Sequence, residues 1–128
     1  MKILKGKVIT GIGDLSFRME TVPGLLDAYL SKTGLHLFPG SLNVLLDGEW
    51  SMPENKIRLE KEEYGGQVSV SLLPCKLFDA PAFIVRTDKA EAGQIKTHPK
   101  NIIEIIGDVK FRDKYNLKDG DEVEISIV

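Results

Sequence analysis

Most of this sequence alternates between apolar and polar residues with a period of two, and clusters of Gly, Pro and Asp interrupt the alternation at short intervals. Successive side chains of a β-strand point to opposite faces, so this pattern is typical of a barrel or sandwich built from short strands. The clearest strands are predicted over residues 6–10, 41–46, 56–60, 67–73, 82–86, 102–106 and 122–128. The chain is therefore predicted to be mainly β.

Apolar residues at helical spacing predict one helix after the first strand. The apolar face of this helix would consist of Leu25, Leu26, Tyr29 and Leu30. Pro23 suits the first turn, and Gly34 suits the left-handed residue that ends many helices. A second, shorter helix is predicted near residues 109–115, whereas residues 17–19 are predicted to be extended.

Length and composition limit the classes of function. A chain of 128 residues has the size of one domain, and we expect a single domain over residues 1–128. The net charge of −2 gives no basic surface for nucleic acid, and no apolar stretch is long enough to cross a bilayer. The first residues contain no apolar signal segment, so we expect a cytoplasmic protein, and we expect a monomer. The single cysteine, Cys75, lies in an apolar run and is predicted to be a small buried hydrophobe.

The segment Gly11-Ile12-Gly13-Asp14 directly follows the first predicted strand. Glycines at such a turn let backbone N–H groups approach a phosphate closely, because no side chain stands in the way. A dinucleotide-binding fingerprint would need a glycine in place of Ser16, and the chain contains no Walker A sequence. The segment therefore predicts either a phosphate-binding loop of another kind or a plain β-turn.

Ser41 and Asn43 lie on one face of a predicted strand, because side chains two residues apart in a strand point the same way. A hydroxyl and an amide carbonyl are hard oxygen ligands, which Mg²⁺ takes together with phosphate oxygens and water. The pair is therefore either one corner of a Mg²⁺ site or two polar side chains that satisfy backbone groups at the end of a strand.

Glu104 is the one charged residue of the apolar segment 102–106. A buried carboxylate needs a partner, so Glu104 either has a partner or ligand or faces solvent on an edge strand. The segment Val109-Lys110-Phe111-Arg112 follows, in which two cations flank an aromatic ring. Such a group either binds phosphate and stacks on a ring, or forms a solvated turn of helix.

Taken in order over nearly the whole chain, these segments resemble the archaeal CTP-dependent riboflavin kinase family. The resemblance rests on the Gly-Ile-Gly loop, on Phe38-Pro39-Gly40-Ser41-Leu42-Asn43-Val44, on Leu73-Pro74-Cys75-Lys76, and on the stretch from Ile103-Glu104-Ile105-Ile106 through Arg112 to Leu117-Lys118-Asp119-Gly120-Asp121. It implies a six-stranded cradle-loop β-barrel that phosphorylates riboflavin to FMN, with CTP as the phosphoryl donor and Mg²⁺ as the metal.

The resemblance also implies which residues form the site. Nucleotide contacts would come from Ile12, Gly13, Asp14, Leu15, Ser16, Phe17, Val109, Lys110, Phe111 and Arg112. Ser41 and Asn43 would hold Mg²⁺. Lys96, Thr97 and Glu104 would contact the flavin, and Glu104 and Asn43 would be the catalytic residues.

Three places depart from the family pattern. Leu15 stands where many members have a third glycine in the loop, and Gly107-Asp108 stands where they usually have Ala-Pro. Lys96 stands where members have a threonine that contacts the flavin. A non-catalytic barrel that binds a flavin or a nucleotide therefore stays open as an alternative. The closing Leu-Lys-Asp-Gly-Asp turn leaves a barrel transcription regulator open as another, although the acidic balance of the chain argues against it.

Overall fold

The computed structural model of the chain describes residues 1–11, 15–96 and 99–127, and for residues 16 and 17 it describes the backbone alone. The strands within these residues are β1 Lys2–Ile9, β2 Leu42–Leu46, β3 Ile57–Leu59, β4 Val70–Leu77, β5 Ala80–Thr87, β6 Ile102–Ile106 and β7 Glu122–Ile127. The helices are α1 Leu15–Thr21, α2 Leu25–Thr33, α3 Asp88–Glu91 and α4 Phe111–Lys114, and a 3₁₀ turn spans Lys61–Glu63.

The strands form a closed antiparallel barrel with the order β4-β5-β6-β2-β1-β7. The barrel closes because β7 pairs with the second half of β4, where Lys76 is opposite Ser126 and Leu77 is opposite Ile125. β3 pairs with the first half of β4 and lies outside the closed ring. The predicted mainly β, six-stranded barrel is confirmed, and each predicted strand overlaps an observed one.

The interior of the barrel is the first apolar core. Each of the six barrel strands contributes buried side chains to it, among them Val8, Val44, Leu73, Ile84, Ile103 and Ile125. They alternate with outward-facing residues because the side chains of a strand repeat with a period of two. Cys75 belongs to this core, as predicted, and burial raises the pKa of its thiol to about 12.

A second apolar core lies on the outer face of β4, β5 and β6, beneath α1 and α2. Its buried members include Leu15, Met19, Leu25, Tyr29, Leu72, Phe83, Val85 and Ile106. This core explains why β5 and β6 are apolar on both faces, which is a pattern that simple alternation does not produce. Two outward-facing residues of β6 differ in their surroundings. Ile106 is buried in this core, whereas Glu104, two residues earlier on the same face, is not part of it.

The helix predictions were partly correct. α2 ends at Gly34, which has φ 74° and donates its amide to the carbonyl oxygen of Leu30. α4 confirms the second predicted helix. The extended conformation predicted for residues 17–19 was wrong, because they lie in α1. The reason is that Leu15 and Met19 are four residues apart, so one face of a helix buries both in the second core.

Among the described residues, no helix is long and apolar enough to span a membrane.

Arg86 fixes one end of the barrel. Only 4% of its side chain is exposed, and its guanidinium donates to the carbonyl oxygens of Trp50, Lys100 and Ile102 and to the carboxylate of Glu91. We expect Arg86→Met to lower the free energy of unfolding by about 3 kcal/mol, because the change leaves buried acceptors without a donor. Urea denaturation measures this loss.

Lys5→Met provides the control for that measurement, because Lys5 forms an exposed ion pair with Glu124 at 3.6 Å. Exposed pairs contribute about 0–1 kcal/mol, so the control should stay close to the unmodified chain. Equal losses of stability in the two variants would contradict the structural role of Arg86.

Candidate functional site

Two clefts lie side by side on the outside of the barrel. The first cleft has a volume of about 550 Å³ and lies between the end of β1, residues 38–43 and residues 104–112. The second cleft has a volume of about 470 Å³ and lies between the start of β4, the end of β5, α3 and the start of β6. Both volumes are within the range of about 300–1,000 Å³ that is usual for small-molecule sites. Leu15 and Glu104 line both clefts, so the clefts meet at these two residues.

Ser41, Asn43 and Glu104 come together because β2 and β6 are neighbours. In the register of this pair Asn43 is directly opposite Glu104, and both lie on the outer face of the barrel while Leu42 and Val44 point inward. The Ser41 hydroxyl donates to Oε2 of Glu104 at 3.0 Å. Ser41 and Asn43 therefore lie side by side, as predicted, next to Glu104, and of the two alternatives for Glu104 the structure shows the one with a partner.

Glu104 does not lie on an edge strand, because β6 pairs with β2 on one side and with β5 on the other. Its side chain is partly buried. A carboxylate held between two clefts and oriented by a hydroxyl is suited to orient or deprotonate a hydroxyl group of a bound ligand.

Gly11 packs directly against Asn43. A Cβ atom added to Gly11 would lie 2.1 Å from Nδ2 of Asn43, so no larger residue fits at this point without moving the amide. Thr10 and Gly11 line the first cleft. The other predicted loop contacts, Ile12, Gly13 and Asp14, lie outside the described residues.

All four residues of the segment Val109-Lys110-Phe111-Arg112 line the first cleft. Phe111 is buried against Gly107, whereas Lys110 is exposed and contributes positive charge at the rim. Arg112 is partly buried, and its Nη2 donates to Oδ1 of Asp119 at 2.6 Å and to the carbonyl oxygen of Ile9 at 3.2 Å. Two cations therefore face a cleft that Gly11 also lines, which suits an anionic ligand such as a phosphate chain.

The second cleft is more apolar. Its lining includes Val68, Val70, Val85, Ile95 and Ile102, with Arg18, Lys61, Asp88 and Lys89 among its polar residues. Such a lining suits a flat ring system with a few polar groups. Of the predicted flavin contacts, Glu104 lines this cleft, Lys96 is exposed and is not among the described lining residues, and Thr97 lies outside the described residues.

Leu15 forms part of the wall between the clefts. It is 4% exposed, begins α1 and packs in the second core. Leu15, which was predicted to contact the nucleotide, lines both clefts, and its burial shows that it also belongs to the core. The predicted contacts of Ser16 and Phe17 concern side chains outside the described part of the structure.

The oxygen atoms around Ser41 fit a hard divalent cation. The Ser41 hydroxyl directly before β2, the Asn43 amide on β2 and the Glu104 carboxylate on β6 are neighbours, and Mg²⁺ takes such ligands while keeping water and phosphate oxygens. Within the described residues, no group of three or more His, Cys, Asp or Glu side chains could hold a metal ion. The site therefore fits Mg²⁺ brought in with a phosphate ligand better than a permanent metal centre enclosed by protein ligands.

Comparison with known proteins shows the family to which the chain belongs. A family model named CTP-dep_RFKase, described as domain of unknown function DUF120, matches residues 8–127. The chain belongs to this CTP-dependent riboflavin kinase domain family. The match contains Ser41 and the strands β2 and β6, which carry Asn43 and Glu104, and the family resemblance of the sequence is confirmed.

Several curated members of this kinase family are similar to the chain. A riboflavin kinase of Methanocella arvoryzae is 30% identical over 98% of the chain and 56% of its own length. One of Pyrobaculum aerophilum is 33% identical over 98% of the chain and 60% of its own length. One of Sulfurisphaera tokodaii is 32% identical over 97% of the chain and 93% of its own length. The chain thus spans little more than half the length of the first two relatives and nearly all of the third.

Three neighbours of the site in this riboflavin kinase family member were not among the residues predicted from the sequence. Phe38, which is 39% exposed, lines the first cleft, Arg18 lines the second cleft, and Asp119 accepts a hydrogen bond from Arg112. Phe38 could have been found from its position beside the Pro39-Gly40 turn. Arg18 could not, because its position depends on α1, which was predicted to be extended.

Proposed function

We propose that this chain transfers the γ-phosphate of CTP to the 5′-hydroxyl of riboflavin, giving FMN and CDP. The observation that supports this most directly is the meeting of two ligand-sized clefts at Glu104. A kinase must bring a donor and an acceptor together at one point, and a protein that only binds one ligand has no need of two joined clefts. Family membership and relatives named riboflavin kinase support the same reaction.

The first cleft is suited to the nucleotide. Backbone N–H groups near Gly11 and the cations of Lys110 and Arg112 would neutralise the triphosphate, because each cation faces this cleft. Contacts from Ile12, Gly13 and Asp14 stay a prediction. The choice of CTP over other nucleotides follows the family and is tested below.

The second cleft is suited to riboflavin. Its apolar lining suits the flat flavin ring, and Glu104 at its end suits a hydroxyl group of the ribityl chain. Phosphoryl transfer passes through a loose transition state, so the protein contributes mainly alignment and charge neutralisation. Glu104 would orient the 5′-hydroxyl and accept its proton, while the Ser41 hydroxyl keeps the carboxylate in place.

Ser41 and Asn43 would hold Mg²⁺ in the first cleft, beside Glu104, where the two clefts meet. When bound there, Mg²⁺ would supply neutralisation of the negative charge on the β- and γ-phosphates. Asn43 is held beside the phosphate end of the cleft by its β-ladder position between Ile9 and Glu104.

The reaction is tested by incubating the chain with riboflavin, CTP and Mg²⁺ and separating flavins by chromatography. We expect FMN to form with CTP and to form more slowly with ATP. Thermal shift with each ligand gives a second readout, because a ligand that binds the folded state raises its apparent stability. Stabilisation by both ligands without formation of FMN would contradict the proposed kinase activity and support the alternative of a non-catalytic binding protein.

Replacing Gly11 with alanine should lower the rate of FMN formation by about tenfold, because a displaced catalytic group aligns poorly. The new Cβ would lie 2.1 Å from Nδ2 of Asn43 and must push the amide aside. Gly48→Ala is the matched control, since a Cβ at Gly48 would meet nothing within 4 Å. Equal rates in the two variants would show that the close packing of Gly11 on Asn43 is unimportant for turnover.

A further inference from the structure

The turn that precedes the last strand reaches the first cleft through Asp119. Oδ2 of Asp119 accepts a hydrogen bond from the Thr10 hydroxyl at 2.6 Å, and Oδ1 accepts one from Nη2 of Arg112 at 2.6 Å. Thr10 and Arg112 both line the first cleft, from opposite ends of the sequence. One exposed carboxylate therefore joins the start of the glycine loop to the cation of α4.

The backbone holds this turn in place independently of the Asp119 side chain. The Gly120 amide donates to the carbonyl oxygen of Val8 at 2.8 Å, and the Val8 amide donates to that of Asp121 at 2.9 Å. The Leu117 amide donates to the carbonyl oxygen of Arg112 at 2.9 Å. Removing the carboxylate should therefore leave the turn, β1 and α4 where they are.

The bonds of Arg112 leave part of its guanidinium for a ligand. Its Nη2 group carries two N–H bonds, and these point at Asp119 and at the Ile9 carbonyl. Nη1 and Nε carry three more N–H bonds, for which the described residues provide no partner. A long side chain loses rotamer freedom when it binds a ligand, and a side chain already held in one orientation loses less.

We propose that Asp119 is a positioning residue for the nucleotide: it holds Arg112 and the start of the glycine loop in the arrangement that receives the phosphate chain. This inference rests on the proposed function and deepens it. It assigns to the closing Leu-Lys-Asp-Gly-Asp turn a role in binding the phosphoryl donor, whereas the sequence alone gave this turn as part of the family resemblance without a role at the site.

Asp119→Asn tests the inference through steady-state kinetics of FMN formation. We expect KM for CTP to rise about fivefold, which corresponds to the upper end of the free energy that one exposed ion pair contributes. KM for riboflavin should stay unchanged. Glu124→Gln is the matched control, because Glu124 is also an acid in an ion pair, with Lys5 in place of an arginine, and its side chain is 56% exposed, as is that of Asp119. The melting temperatures of the two variants should agree.

A second comparison tests whether Asp119 acts through Arg112. We expect Asp119→Asn to have little further effect on KM for CTP in a chain that already carries Arg112→Ala, because the two changes remove the same interaction. The inference is overturned if Asp119→Asn behaves like Glu124→Gln. It is also overturned if both KM values rise together with a fall in melting temperature, since that result indicates a structural role alone.

Failure of this inference can be told apart from failure of the proposed function. If the unmodified chain makes no FMN, the proposed kinase activity is wrong. The positioning role of Asp119 is then decided by calorimetric titration with CTP and Mg²⁺. Weaker CTP binding by Asp119→Asn than by Glu124→Gln supports the inference. Equal affinities, or no binding of CTP by the unmodified chain, overturn it.

Discussion

Asn43→Ala should lower the rate of FMN formation by about a thousandfold, because it removes the amide that would hold Mg²⁺ against the phosphates, and metal-ion charge stabilisation contributes several kcal/mol. The change should leave the fold intact, since Asn43 faces the cleft and Leu42 and Val44 on the same strand supply the buried side chains. Initial rates at saturating riboflavin and CTP, measured over a range of Mg²⁺ concentrations, check this expectation.

Leu45→Ala is the control for Asn43→Ala. Leu45 is two residues further along β2, so it points to the same outer face, but it is exposed and is not among the described lining residues of either cleft. We expect this variant to retain the rate of the unmodified chain. If Asn43→Ala matched it, the assignment of Asn43 to the metal would be wrong.

Glu104→Gln should lower kcat by about 100- to 10,000-fold, the usual range for loss of a general base. Glutamine has the shape of glutamate and can still accept the hydrogen bond from Ser41, so both clefts should keep their form. KM for CTP should change little, because the lost group acts on the acceptor hydroxyl. Single-turnover kinetics with enzyme in excess separates this chemical step from product release.

Glu122→Gln provides the matched control for Glu104→Gln, because Glu122 is an exposed glutamate on β7 outside the described lining of both clefts. It should have the single-turnover rate of the unmodified chain. An unchanged rate in Glu104→Gln would contradict the role of this carboxylate in phosphoryl transfer. Alignment of the two substrates by the clefts would then be the main contribution to catalysis.

The barrel could be predicted from the sequence because its inward-facing side chains repeat with a period of two in every strand. The same rule placed Ser41 and Asn43 on one face before any strand pairing was known. α1 was not predictable in this way, because Leu15 and Met19 gain their burial from α2 and from β5 and β6, which are distant in sequence. Tertiary contacts therefore decided the conformation of residues 15–21.

The meeting of Ser41 and Glu104 could not be predicted from local pattern either. These residues are 63 positions apart, and only the register of β2 against β6 brings them together. The apolar neighbours of Glu104 indicated that it needed a partner, but not which one. The assignment of Lys96 as a flavin contact came from matching a short motif by position. In the structure its neighbour Ile95 lines the second cleft.

A crystal structure with riboflavin, Mg²⁺ and a CTP analogue that has a methylene group in place of the β,γ-bridging oxygen tests the central claim most directly. We expect the triphosphate in the first cleft and the flavin ring in the second, with the γ-phosphorus and the 5′-hydroxyl both next to Glu104. Flavin and nucleotide bound with their reactive groups apart, or bound away from Glu104, would contradict it.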